Sequence, residues 1–305
     1  MDEPTLPVAE PAEPHHRSGF VAIVGRPNVG KSTLLNQLLG QKIAIVSAKP
    51  QTTRSRILGI KTLAHAQVVF IDTPGLHRPR TLINRRMVEV ATRAAEEADL
   101  LLLVVDAVAG ITPADRELAA QLSAGSRAIC VVLNKIDRLA RAQLLPLLAT
   151  LDQLLPGRDV IPVSALKGSN LDELITHIVR VLPEGPRYYD PDALTDQTER
   201  MLVQEVVREK VLMQTRDEVP YAVAVTVDQF EDKPNLAVIT ATIHVERQSQ
   251  KGILIGQRGT RIREIGRAAR LELEHMFGRR VYLELFVRVQ EEWTTRAALL
   301  KEFGL

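Results

Sequence analysis

Gly25-Arg26-Pro27-Asn28-Val29-Gly30-Lys31-Ser32 decides the reading of this chain. It meets the phosphate-cradling pattern G-x-x-x-x-G-K-[ST] at every fixed position. The apolar run Phe20–Val24 before it reads as a buried strand, and Thr33–Leu39 after it reads as the start of a helix. Glycines let the backbone curl until consecutive N–H groups face an anion, and the helix N-terminus adds partial positive charge. In that setting Lys31 is expected to reach the β- and γ-phosphates of a nucleotide, and the Ser32 hydroxyl to ligate Mg²⁺.

Around this segment, from Phe20 to about Leu182, further short apolar runs recur: Val68–Ile71, Leu100–Val105, Ala128–Leu133 and Val160–Val163. They are near-continuous in Val, Ile and Leu, the composition of strands covered on both faces. Helical patterns alternate with them at Ala91–Ala98, Ala114–Leu122, Arg141–Leu155 and Leu171–Val181. The spacing predicts an α/β domain over residues 19–182, with a mostly parallel sheet, helices on both faces and its ligand at the strands' carboxyl ends. Residues 183–197 open with three prolines and a glycine in nine positions, and are expected to be a linker.

Residues 198–305 read as a second, α+β domain. Glu199–Met213 is an amphipathic helix, Ala222–Phe230 and Leu236–Val245 are strands, and Gln250–Met276 is a helix–glycine loop–helix stretch. A strand at Val281–Val289 and a short helix near Trp293–Lys301 complete it. Residues 1–18, acidic and carrying four prolines, are expected to be a disordered tail with His15 and His16 in solvent. That stretch lacks the basic start and apolar centre of a signal peptide. The longest apolar run stops at Asp106, far short of a bilayer's width. One cysteine, Cys130, excludes an internal disulfide framework and fits a reducing, cytoplasmic setting.

Three more segments follow the phosphate loop in a fixed order. Asp72-Thr73-Pro74-Gly75 closes a strand; Asp72 is expected to hold Mg²⁺ from outside its first coordination sphere, and the Gly75 N–H to meet the γ-phosphate. Asn134-Lys135-Ile136-Asp137 follows another strand. An Asp137 carboxylate can accept from guanine N1–H and N2–H₂ together, whereas adenine would leave it unpaired, a mismatch worth roughly 10⁴-fold in selection. That argues against an ATPase. Lys135 is expected to lay its stem along the base. Ser164-Ala165-Leu166 ends a third strand, with the Ala165 N–H as the expected donor to guanine O6.

With these four segments the chain resembles the translation-factor branch of the P-loop GTPases, and within it the Era family. The resemblance implies GTP binding with Mg²⁺ and slow hydrolysis to GDP. It also implies that Thr53, in Gln51-Thr52-Thr53-Arg54, is the switch I threonine that binds Mg²⁺ and the attacking water in the GTP state. Lys42–Arg56 would then order with GTP and loosen with GDP. The residues alone do not choose Thr53 over Thr52. The position after Gly75, a water-orienting Gln in Ras-like enzymes, is Leu76. In related GTPases an Asn at the place of Asn28 goes with a bound K⁺.

Ile255-Gly256-Gln257-Arg258-Gly259-Thr260-Arg261-Ile262-Arg263-Glu264-Ile265 resembles the KH pattern, whose GxxG loop clamps about four nucleotides of single-stranded backbone. The α-β-β-α-α-β order resembles a type II KH domain. Ile255, Ile262 and Ile265 are expected to pack inward. Between Arg247 and Arg280 nine basic residues face three acidic ones, a field suited to phosphates. Lys251, Gly252, Ile255, Gly256, Gln257, Arg258, Gly259, Arg261 and Arg263 are the expected RNA contacts. The Era resemblance then covers nearly all of the chain after residue 18. It implies binding to the 3′ end of 16S ribosomal RNA, a part in 30S subunit assembly and loose inner-membrane association. DNA is not an expected partner, and a monomer is the default. Where the family's loop reads Gly-Lys-Gly-Gly, this chain has Gly-Gln-Arg-Gly. The alternative is a GTP-dependent adaptor whose basic domain docks on lipid or a protein.

Overall fold

The computed structural model describes residues 16–47, 49, 52–76, 81–215 and 222–304. The expected tail lies outside them as far as residue 15, as do Ala48, Pro50 and Gln51 of the switch I segment.

Six strands form the first sheet, in the order β2-β3-β1-β4-β5-β6. They are β1 (Arg17–Val24), β2 (Ile57–Leu63), β3 (Ala66–Asp72), β4 (Leu100–Asp106), β5 (Ala128–Asn134) and β6 (Val160–Pro162). All neighbours run parallel except β2, which pairs antiparallel with β3 at the edge. Alternate residues of β1 enter opposite cores. Val21 and Ile23 pack towards α1 (Lys31–Leu39) and α5 (Leu171–Val181). Ala22 and Val24 pack towards α3 (Pro113–Ser123) and α4 (Arg141–Leu154). Both faces are therefore dry, which is why the strands read as unbroken apolar runs. The helix α2 (Leu82–Glu97) lies on the second face, its start fixed by the Thr81 side chain, which accepts from Asn84 N–H. It begins nine residues before the expected Ala91, and its first turns bury Ile83 and Met87.

β2 has no counterpart in the sequence reading. Gly59 and Lys61 interrupt its apolar pattern, yet Gly59 is required: a Cβ there would lie 2.6 Å from Leu39 Cδ1 and 2.8 Å from Leu35 Cδ1. The missing side chain lets α1 settle on the sheet edge.

The expected tail boundary is corrected. Arg17 and Ser18 belong to β1, and His16 is buried. The reason is pairing with the chain beyond α5: His16 O accepts from Gly185 N–H, and Ser18 N–H donates to Pro183 O. The 183–197 segment itself runs along the sheet. Gln67, fully buried, accepts from the N–H groups of Tyr188 and Tyr189 and donates to Tyr189 O. Tyr188 stacks on Phe20, Leu194 O accepts from Ile60 N–H, and the Thr195 hydroxyl donates to Leu58 O.

The second unit carries β7 (Ala224–Lys233), β8 (Leu236–Val245) and β9 (Arg280–Val289), with β8 antiparallel to β7 and parallel to β9. Three helices, α6 (Glu199–Gln214), α7 (Gln248–Ile255) and α8 (Thr260–Phe277), supply the other side of its apolar core. Trp293 is fully buried beside α9 (Ala297–Glu302), and packs with Ile83 and Met87 of α2, joining the two units.

Candidate nucleotide and RNA sites

The phosphate loop links β1 to α1. Gly30 takes φ +99°, and a Cβ there would strike the Asn134 amide at 2.4 Å. Asn28 sits at φ +64°, a left-handed conformation that Asn tolerates better than most residues. Lys31 is buried at the head of α1 and donates to Gly25 O (3.2 Å) and Arg26 O (3.0 Å). Burial pushes its ammonium down to about 8, against the pull of Asp72. Arg26 reaches the first turn of α3, where it pairs with the buried Asp115 at 2.7 Å.

Three oxygens converge beside this helix end. Ser32 Oγ donates to Asp72 Oδ2 at 2.6 Å and lies 2.9 Å from Thr53 Oγ1. Thr53 Oγ1 in turn donates to Asp72 Oδ2 at 3.3 Å. Thr52 is elsewhere, its hydroxyl donating to Lys49 O, so the geometry separates two threonines that the residues alone left equivalent. Asp72 is fully buried; desolvation raises its pKa, opposed by Lys31 and by the Ser32 and Thr53 hydroxyls. Among the described residues its Oδ1 has no hydrogen-bond partner. A buried carboxylate with an orphaned oxygen, flanked by two hydroxyls, is a donor set that suits a hard divalent cation.

The segment after β3 is pinned to the phosphate loop. Thr73 Oγ1 donates to Ile23 O and Leu76 N–H to Gly25 O. Pro74 is buried, and Gly75 has no room for a side chain, since a Cβ would meet Pro27 N at 2.7 Å. The Leu76 side chain packs on the α3–α4 core.

At the end of β5, Asn134 ties the base-reading segment to the same loop, donating from Nδ2 to Val29 O at 2.8 Å. Lys135, at φ +68°, donates from Nζ to Asn28 O (2.7 Å) and Asp106 Oδ2 (2.6 Å). Asp106 is a functional neighbour that the sequence reading missed; its signal was an acid at the carboxyl end of an apolar run. Asp137 is exposed, its Oδ1 accepting from the Ser164 hydroxyl at 2.6 Å. The Ala165 N–H, read as the donor to guanine O6, already donates to Asn134 Oδ1 at 2.9 Å. Leu166, the next residue, is exposed.

In the second unit Gly256 and Gly259 hold the loop between α7 and α8 at φ +70° and +75°. At Gly256 a Cβ would also meet Arg261 Cβ at 2.9 Å, while at Gly259 the space is open. Arg258 stands between them at φ +51°, a region that costs an L-residue about 1 kcal/mol. Arg263 braces the loop through Arg258 O (2.8 Å) and Gly259 O (3.1 Å), and Arg261 through Ile253 O (2.7 Å). Gln257 and Gly252 are exposed and Lys251 is half-buried on α7. The inward packing expected of all three isoleucines holds for Ile265 alone. Leu254 takes the core place before the loop, and Ile255 and Ile262 are half-buried. The turn at Gly256 rotates them out of the core. Ile262 instead lines a groove of about 380 Å³ between α8 and β9, with Arg263, Arg267, Arg270 and the exposed Tyr282.

An α/β sheet with these segments at its strand ends, followed by a helix–GxxG–helix unit on a three-stranded sheet, defines a P-loop GTPase carrying a KH domain. Residues 20–135 match the family model of the 50S ribosome-binding GTPases, and residues 218–294 that of KH domains. GTPase Era of Syntrophus aciditrophicus is 48% identical over 94% of this chain and 95% of its own length. That of Geotalea daltonii is 50% identical over 96% and 99%. The fold matches a crystal structure of Era in complex with MgGDPNP and a 16S ribosomal RNA fragment, at TM-score 0.93 and 44% identity over 95% of this chain and 99% of that one. It also matches a variant of Aquifex aeolicus Era bound to GDP·AlF₄⁻, at TM-score 0.92, 44% identity, 94% and 99%. This chain belongs to the GTPase Era family.

Proposed function

We propose that the protein binds and hydrolyses GTP at the carboxyl end of the first sheet, and uses its KH domain to hold the 3′ end of 16S ribosomal RNA during 30S subunit assembly in the cytoplasm. The observation that carries the reading is the meeting of Ser32, Thr53 and Asp72 beneath the phosphate loop. Ser32 and Thr53 hold Mg²⁺ directly and Asp72 supports it from behind. When bound, the ion neutralises charge on the phosphates. The N–H groups of residues 25–33 surround the phosphates, Lys31 leaves the Gly25 and Arg26 carbonyls to take the β- and γ-phosphates, and Gly75 N–H meets the γ-phosphate. Asp137 reads guanine N1 and N2, Lys135 lies along the base, and Ser164 keeps Asp137 in place. Leu76 cannot orient water, so turnover is slow. Asn28 would hold a K⁺ that supplies positive charge to the phosphates, and hydrolysis should then run faster in K⁺ than in Na⁺; equal rates would remove that assignment.

The GxxG loop receives the RNA backbone on Gly256 and Gly259, with Gln257, Arg258 and Lys251 at its rim, and the bases enter the groove past Ile262. Arg261 and Arg263 act first as braces of that loop. The test is GTP and ATP titration in Mg²⁺, paired with filter binding of a single-stranded RNA from the 16S 3′ end. Selective GTP binding, with RNA binding that weakens steeply as salt rises, supports the reading. Equal affinity for ATP and GTP overturns its first half, and RNA binding indifferent to salt its second.

A further inference from the structure

Asn36 of α1 fixes the start of switch I, its Oδ1 accepting from the N–H groups of Ile43 and Ala44. From Val46 onward the segment also takes partners from the KH unit. Val46 N–H donates to Glu209 Oε1 at 2.8 Å, and Thr52 O accepts from Arg208 Nη2. Lys49 Nζ donates to Leu212 O and Thr215 O, and Arg54 Nη1 to Val223 O at 2.6 Å. Glu209 is fully buried, and its other oxygen pairs with Lys42 (2.7 Å) and Lys210 (2.8 Å). Arg208 is buried too, its guanidinium fork fixed on Glu205 at 2.6 and 2.9 Å. The same Nη2 that holds Glu205 also donates to the main chain at Thr52, so the Glu205 fork sets the direction of that contact.

We propose that Arg208 and Glu209 are positioning residues for GTP hydrolysis. They clamp the backbone at Thr52 and Val46, and so keep the Thr53 hydroxyl beside Ser32 and Asp72. The inference rests on the GTPase reading of that site. Its particular support is that both contacts go to main-chain atoms of the segment. Side-chain pairs alone would join the two units without prescribing the path of the chain, whereas a gripped N–H at Val46 and a gripped carbonyl at Thr52, directly before Thr53, prescribe where Thr53 falls. Small displacements of a reacting group carry large rate penalties.

The experiment is single-turnover GTP hydrolysis by the full chain and its Glu209→Ala, Glu209→Gln and Arg208→Gln variants, with intact sites counted by GDP titration. GDP binding does not need Thr53, so GDP affinity should stay within about twofold, while the rate per site falls about tenfold in Glu209→Ala and Arg208→Gln. Glu209→Gln, which keeps an acceptor for Val46 N–H, should retain most of the rate. The Mg²⁺ concentration needed for half-maximal GDPNP binding should rise in the first two variants. A rate per GDP-titrated site unchanged in both would reduce the contacts to domain adhesion and overturn the proposal. Failure of the parent protein to bind GDP would instead sink the underlying site.

Discussion

At the scale of single residues, chemistry at a fixed place decides most outcomes. Asp137 offers two acceptors where guanine offers two donors, so Asp137→Asn should exchange GTP preference for xanthosine triphosphate. Competition binding with the two nucleotides checks this, and retained guanine selectivity would show that the base pocket is misassigned. Cys130 is buried in β5, where burial, with Asp159 nearby, pushes its thiol up to about 12. The thiolate is the reactive form, so labelling by a disulfide reagent should be undetectable in the native protein and complete on unfolding. Gly256→Asp should abolish RNA binding in a filter assay, for it places a carboxylate against phosphate and a Cβ against Arg261. Residues of this kind were the most legible part of the sequence, because P-loop, base-reading and GxxG patterns each name an atom and a task. Thr53 was not, since Thr52 carries the same hydroxyl; only the path of the backbone separates them. Nor was the Ala165 amide, whose engagement with Asn134 depends on two strand ends lying side by side.

Secondary-structure elements were legible where burial is two-sided. β1, β3, β4 and β5 announce themselves as apolar runs because helices cover both faces, and α5 was read to the residue from its amphipathic stripe. β2 escaped because an edge strand needs less apolar surface and because its Gly59 looks like a break. Gly59→Val tests the reason offered for that glycine. It should destabilise the fold by about 1–3 kcal/mol through overpacking against Leu35 and Leu39, seen as a lowered midpoint in thermal or urea unfolding. In the α7–α8 pair the glycine turn shifts the helical phase, so the isoleucine spacing alone placed Ile255 and Ile262 on the wrong side.

For the whole molecule, the boundary between the halves holds the least legible chemistry. Lys42, Glu209, Lys210 and Glu272 form one ion-pair cluster drawn from both units. Burial opposes ionisation of Glu272, yet Lys210 and Lys42 hold its carboxyl below the usual 4.5. A carboxyl so depressed contributes stability above its unfolded value and loses it as pH falls through the folded one. Acid titration below about pH 4.5 should therefore loosen the two halves, and Glu272→Gln should remove part of that pH dependence; unfolding midpoints measured across pH 3–7 would show it. Glu209 and Lys210 are consecutive on α6, but nothing in the sequence brings Lys42 and Glu272 to them, for those pairs form only after both cores have formed.

The connecting chain has a mechanical meaning. Pro183 to Thr195 is laced to the rim of the first sheet through Gln67, Phe20, Leu58 and Ile60. A rigid-body swing of the RNA-binding half can therefore begin only past Thr195, leaving Asp196 to Thr198 as the pivot ahead of α6. Glycines inserted at those three positions would widen the arc, whereas the same insertion beside Gly185, within the laced stretch, would leave it unchanged.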